Sequence, residues 1–164
     1  MTTSLLVLAD THVPRRARDL PEQVWDAIDR VDLVAHAGDW VSLELVERIR
    51  ARAELQGVYG NNDGSEVRAV LPEVARWRVE GMRFAMVHET GAAHRREARM
   101  DVAFDDVDVL VFGHSHIPWD SVTPAGMRLL NPGSPTDRRR QPRASYLEIV
   151  VENDRLDDVR FVYL

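Results

Sequence analysis

The chain has 164 residues, 45% of them apolar and 29% charged, which predicts one compact domain over 1–164 with a real core. A formal charge of −6 argues against a general nucleic-acid binder. Cysteine is absent and all 21 basic residues are arginine, so disulfides, thiolate metal sites and cysteine or lysine nucleophiles are excluded.

The chain opens MTTSLLVLADTH, an apolar run broken by Asp10. It lacks a basic leader and is too short for a membrane span, so a cytoplasmic protein with no membrane partner is expected. Leu5–Ala9 reads as a strand buried on both faces. Leu20–Arg30 sets Leu20, Val24, Trp25 and Ile28 on one helical face, with Pro21 where a helix start tolerates it. Val31–Ala37 is a second strand, Ser42–Arg52 a second helix and Leu55–Tyr59 a third strand. This alternation indicates βαβ units with parallel pairing.

The pattern then changes. Trp77–Val79 and Met82–Val87 flank the turn Glu80-Gly81 as a hairpin. Ala92–Phe104 predicts a helix and Val107–Phe112 a buried strand. Two further hairpins follow, Trp119–Val122 with Met127–Leu130, and Tyr146–Val151 with Val159–Tyr163. The expected fold is mixed α/β with two sheets.

Polar residues recur where predicted strands end. Asp10-Thr11-His12 follows the first strand, Gly38-Asp39 the second and Gly60-Asn61 the third. His88 follows Arg83–Val87, and Gly113-His114-Ser115-His116 follows Val107–Phe112. Ligands of open α/β sheets bind beyond the carboxyl ends of the strands, so these side chains are expected at one edge. The i, i+2 pairs Asp10/His12 and His114/His116 would share a side in extended chain.

Each piece alone has an ordinary structural reading. Asp10, Asp39 and Asn61 are turn or helix-cap types, and a lone His88 is most simply a hydrogen-bonded core histidine. The HxH pair is the strongest single element, and the ordered set together reads as a metal site. His36 lies inside an apolar run and reads as a structural histidine. His94, Arg95 and Arg96 form either a substrate-phosphate contact or a solvated helix start. The run Arg138, Arg139 and Arg140 reads as a solvated loop, with an anion or a second subunit as alternatives.

This ordered series resembles the signature of the calcineurin-like metallophosphoesterases, and Asn131-Pro132-Gly133-Ser134 resembles a segment of their small bacterial and archaeal phosphodiesterase branch. The resemblance implies a four-layer αββα sandwich of two mixed sheets flanked by helices. It implies a dinuclear centre with Asp10, His12, Asp39 and His116 on one metal. Asp39, Asn61, His88 and His114 would hold the other, so that Asp39 bridges. Nitrogen and oxygen ligands without sulfur suit two divalent ions, with manganese placed first and iron, zinc, cobalt or nickel also compatible. The implied reaction is in-line attack on a phosphoester by a metal-bridging hydroxide, with Asp39, His88 and Asn62 as catalytic residues.

Two positions depart from the family pattern. Many of its phosphatases carry a histidine directly after Gly-Asn; here Asn62 stands there, and an amide is no general acid near neutral pH. That favours diesters over monoesters, with a small phosphodiester as the expected substrate. His88 is followed by Glu89-Thr90-Gly91, so the loop that brings His94 and Arg95 towards substrate differs in shape. A monoesterase and a non-catalytic interaction scaffold, as in a retromer subunit of the same fold, are the alternatives. The scaffold has lost ligand positions, whereas all seven are filled here. Assembly with a second copy stays open.

Overall fold

The computed structural model describes residues 1–164. The first apolar run forms β1 (Thr2–Leu8), whose side chains alternate between two faces. Leu5 and Val7 enter one core, while Leu6 and Leu8 enter another. There follow α1 (Glu22–Ile28), β2 (Leu33–His36), α2 (Leu43–Arg50) and β3 (Glu54–Gly57). β1 pairs parallel with β2, and β2 with β3, as the strand–helix alternation predicts.

A short α3 (Ser65–Val70) leads into β4 (Val74–Val79). The sequence pattern gives no helix at α3, because Val67 is its one buried residue and no apolar stripe exists. β4 starts at Val74 rather than Trp77; only small Ala75 marks its buried face there. β5 (Met82–Val87) completes the hairpin. α4 (Arg96–Ala103) begins later than Ala92, since Gly91 and Arg95 hold φ of 76° and 52° and break the helical path.

β6 (Val109–Val111), β7 (Trp119–Val122) and β8 (Arg128–Asn131) complete the second sheet. β9 (Ser145–Glu152) and β10 (Arg155–Tyr163) close the chain. β10 begins at Arg155 rather than Val159. Its turn residues Asn153 and Asp154 hold φ of 50° and 62°, the pairing suited to a tight two-residue hairpin.

One sheet has the order β10-β9-β1-β2-β3 and the other β4-β5-β6-β8-β7. Parallel strands occupy one side of the first and the centre of the second, with antiparallel strands completing both. A shared core of Leu5, Val7, Phe84, Met86, Val109 and Ile149 lies between the sheets. On the outer face of the first sheet, Leu6, Leu8 and Val34 meet Val24, Ile28, Leu45 and Ile49 of α1 and α2. On the outer face of the second, Leu110 and Leu129 meet Met100 of α4. These four layers, helices, sheet, sheet and helix, form the expected αββα sandwich. No helix is long and apolar enough to cross a membrane.

Removing packing between the sheets should therefore cost more than trimming an edge. Leu5→Ala is expected to lower stability by about 2–5 kcal/mol, whereas Val122→Ala, at a residue 61% exposed on β7, should stay within about 0.5 kcal/mol. Urea denaturation of both variants tests this, and equal losses would contradict the layer assignment.

Candidate metal centre

The exits of β1, β2, β3, β5 and β6 meet at one edge of the sandwich. Two bonds join the sheets there: the His88 ring Nδ1–H donates to the Ala37 carbonyl (2.7 Å), and the His114 N–H to Asp10 Oδ2 (2.9 Å). Asp10, His12 and His116 form one group of candidate ligands, and Asp39, His88 and His114 a second, each with its ligand atoms within 4.8 Å of one another. Asp39 Oδ2 lies between the groups, 3.5 Å from His12 Nε2 and 3.3 Å from His88 Nε2. Asn61 Oδ1 joins the second group, 2.9 Å from His88 Nε2 and 3.1 Å from His114 Nδ1. All seven positions singled out from sequence thus stand together.

The convergence has a different cause from the extended pairs expected. Asp10, His12, Asp39, His114 and His116 all adopt left-handed backbone, with φ of 54°, 45°, 60°, 72° and 61°. Such conformations cost of order 1–3 kcal/mol each outside glycine and persist only where surrounding structure over-determines them. The left-handed loops, rather than the strand pleat, set these side chains: Asp10 and His12 join one group, whereas His114 and His116 divide between the two. The preceding glycines also differ in their work. Gly38 needs its φ of 97°, whereas Gly60 and Gly113 make room: a Cβ at Gly60 would collide with the Asp39 carboxylate, and one at Gly113 would lie 3.0 Å from Asp10 Oδ2.

The imidazoles are aimed by their outer nitrogens. His88 Nδ1–H donates to the Ala37 carbonyl (2.7 Å) and His116 Nδ1–H to that of Asp137 (2.5 Å), so both Nε2 atoms face inward. His116 Nε2 lies 3.6 Å from Asp10 Oδ1. Asp10 Oδ1, His12 Nε2 and His116 Nε2 are buried and have no hydrogen-bond partner. A buried polar atom left unpaired costs about 1–3 kcal/mol. Three such atoms converging on one space make a cradle that a cation satisfies, and the remaining set supplies a second one.

The electrostatics agree with that fit. Burial is the largest influence on Asp10 and raises its carboxyl to about 7, with Asp39 adding repulsion and His88 opposing it. Burial also raises Asp39, but hydrogen bonds from His88 and Asn62 outweigh it and hold Asp39 below the usual carboxylate range. Burial works against charge on His88, yet Asp39 and Asp10 together keep its pKa above the ordinary value. Burial lowers His12, and lowers His116 to about 4.

Two residues that look like turn filler brace the centre. Asn62 donates its backbone N–H to Asp39 Oδ1 and its side-chain amide to Asp39 Oδ2, both at 2.8 Å. Asp63 is buried and accepts backbone N–H groups from Asp39 (2.9 Å), Gly60 (2.8 Å) and Val41 (2.6 Å), tying two strand exits together. Sequence reasoning passes over Asp63, because a carboxylate after Gly-Asn-Asn signals a turn and its distant partners leave no local trace. Ser134 acts similarly, donating its hydroxyl to the Asp10 carbonyl (2.8 Å).

The remaining flagged residues lie elsewhere. His36 is fully buried against Trp40, with ring centroids 3.6 Å apart, and bonds Thr11 Oγ1 (3.0 Å), consistent with a structural histidine. His94 and Arg95 are exposed and belong to neither ligand group. Arg96 is neither solvated nor at the centre: it is buried with its guanidinium 4.7 Å from the Phe112 ring and 4.5 Å from that of Trp119. Its charged sequence neighbours, Arg95 and Glu97, give no sign of that slot.

Asp63→Ala removes three buried acceptor contacts at once, and should weaken metal affinity about 10–100-fold. Calorimetric metal titration checks it, and unchanged affinity would show that Asp63 does not position the ligands. Metal affinity should also depend on pH. Asp10 and His88 must lose protons to ligate, and both hold them to higher pH than usual. Affinity is expected to fall by at least about tenfold per pH unit as pH drops below about 7, where Asp10 takes up its proton. A flat profile between about pH 5.5 and 8 would contradict these shifts.

Residues 4–154 match the model of the calcineurin-like phosphoesterase superfamily domain. A probable metallophosphoesterase of Methanothermobacter thermautotrophicus is 34% identical over 159 residues, covering 92% of this chain and 87% of that relative. One from Methanocaldococcus jannaschii is 34% identical over 154 residues, covering 92% and 77%. The solution structure of a Thermotoga maritima protein is 30% identical, covers 99% of both chains and superposes with a TM-score of 0.78. Vacuolar protein sorting 29 from Cryptosporidium parvum shares the fold, with a TM-score of 0.80 over 99% and 98% of the chains at 19% identity. By motif order, fold and sequence likeness, the chain belongs to the calcineurin-like phosphoesterase superfamily.

Proposed function

We propose that this protein is a metal-dependent phosphodiesterase with a dinuclear centre. The observation that carries the reading is Asp39 Oδ2, set between His12 and His88 at 3.5 and 3.3 Å, beside three buried ligand atoms without partners. Asp10, His12, Asp39 and His116 would hold one ion; Asp39, Asn61, His88 and His114 would hold the other. When bound, such ions supply Lewis acidity and an activated water for attack on phosphorus. Manganese is our first choice among the metals that this nitrogen and oxygen set accepts.

The chain's own residues then do the positioning. The ligand set contains two carboxylates, Asp10 and Asp39, and is otherwise neutral. Two divalent ions therefore leave the site net positive, which favours an anionic ester and the charge that develops as it reacts. Asn62 fixes both oxygens of Asp39 and so sets the direction of the shared carboxylate. As an amide, Asn62 does not protonate a leaving group.

Room for a second ester substituent supports the diester reading. A cleft of about 290 Å³ adjoins Asn61 and His88 and is lined by Tyr59, Arg68, Val74 and Glu89 among others. His94 and Arg95, exposed ahead of α4, are our candidates for contact with the substrate's outer part.

The manganese-loaded protein should hydrolyse bis-p-nitrophenyl phosphate faster than p-nitrophenyl phosphate. Asp39→Ala should lower diester turnover by about a thousand-fold, equivalent to about 4 kcal/mol. Faster monoester turnover would overturn the diester assignment. A folded protein with two metals and no activity on either ester would overturn the enzyme and favour an interaction scaffold.

A further inference from the structure

Three consecutive arginines, Arg138 to Arg140, lie on the loop between β8 and β9, and they are not equivalent. Arg138 folds back on its own loop, its Nη1 donating to the Gln141 carbonyl at 2.6 Å. All three side chains are exposed, and that of Arg140 makes no hydrogen bond. Arg139 alone reaches a ligand-bearing loop: its backbone is left-handed, with φ of 49°, and its Nη1 donates to the His114 carbonyl at 3.3 Å. Asp137 does not neutralise it, because Asp137 Oδ1 takes the Arg139 backbone N–H (3.3 Å) while Oδ2 faces Arg16 (3.6 Å).

The loop that carries Arg139 is registered on the centre itself. Ser134 Oγ donates to the Asp10 carbonyl (2.8 Å), Thr136 Oγ1 to that of Thr11 (2.6 Å), and His116 Nδ1 to that of Asp137 (2.5 Å). These three bonds tie the loop to Asp10, Thr11 and His116 up to two residues before Arg139. The Arg139 guanidinium is bonded to the backbone of His114, itself a candidate ligand.

A cation beside a site meant for cations needs an anionic partner to be useful there. We propose that Arg139 binds the phosphoryl oxygens of the substrate, holding them against the Asp10, His12 and His116 side of the centre. The guanidinium keeps donors beyond the one that His114 uses, and its planar fork matches two oxygens of a phosphate. The proposal rests on the phosphoesterase reading for its substrate. Its anion contact is separately measurable with inorganic phosphate.

The test uses the manganese-loaded protein and calorimetric titration with inorganic phosphate, alongside metal counting and diester kinetics. Arg139→Gln should raise the phosphate Kd and the diester KM about tenfold or more with two metals retained, and Arg139→Lys should recover part of the loss. Arg140→Gln should change the phosphate Kd less than about twofold, since Arg140 has no bond to the His114 loop and its charge is screened by solvent. Unchanged phosphate affinity in Arg139→Gln, an equal loss in Arg140→Gln, or loss of metal with loss of phosphate would each overturn the clamp. So would a metal-loaded parent protein that binds no phosphate. Arg139-dependent phosphate binding without ester hydrolysis would keep the clamp and sink the enzyme reading.

Discussion

The carboxylate of Asp39 is where the constraints on this molecule meet. Its Oδ2 stands between imidazoles that belong to different sheets, His12 after β1 and His88 after β5. Both of its oxygens are fixed by Asn62, its own N–H is held by Asp63, and the missing Cβ of Gly60 gives it space. An ionised carboxylate that buried is favourable only with partners. The partners come from three separate chain segments, so the sandwich must assemble before the carboxylate is satisfied.

That dependence explains the strained backbone nearby. Five candidate ligands sit in left-handed conformations that asparagine-like and glycine residues tolerate best. The packed layers supply what offsets this: a shared core between the sheets and helices sealing both outer faces. Rigid strands then deliver each loop to a defined point, and the cross-sheet bonds at His88 and His114 keep the two edges in register. The fold stabilises an arrangement that local sequence preference alone would not choose.

Much of this was legible in the chain because strand ends and chemistry coincide. Apolar runs that stop at Asp10, Asp39, Asn61, His88 and His114 announce both the strands and the edge where they end. The two-sided burial of β1 and the helical face of α1 followed from simple pattern. What stayed hidden depends on contacts across long separations. Asp63 grips a residue 24 positions away, and nothing beside it in sequence says so. Arg96 hides between Phe112 and Trp119, where a charged residue is expected to be solvated. α3 lacks an apolar stripe, and the left-handed turns use residues, Asp and His, whose identity signals chemistry before conformation.

The central claim is that two ions share Asp39. Anomalous diffraction from crystals of the manganese-loaded protein, collected across the manganese absorption edge, measures it directly. The account predicts two peaks, one among Asp10, His12 and His116 and one among Asn61, His88 and His114, with Asp39 touching both. A single peak, or peaks that leave Asp39 uncoordinated, would contradict it.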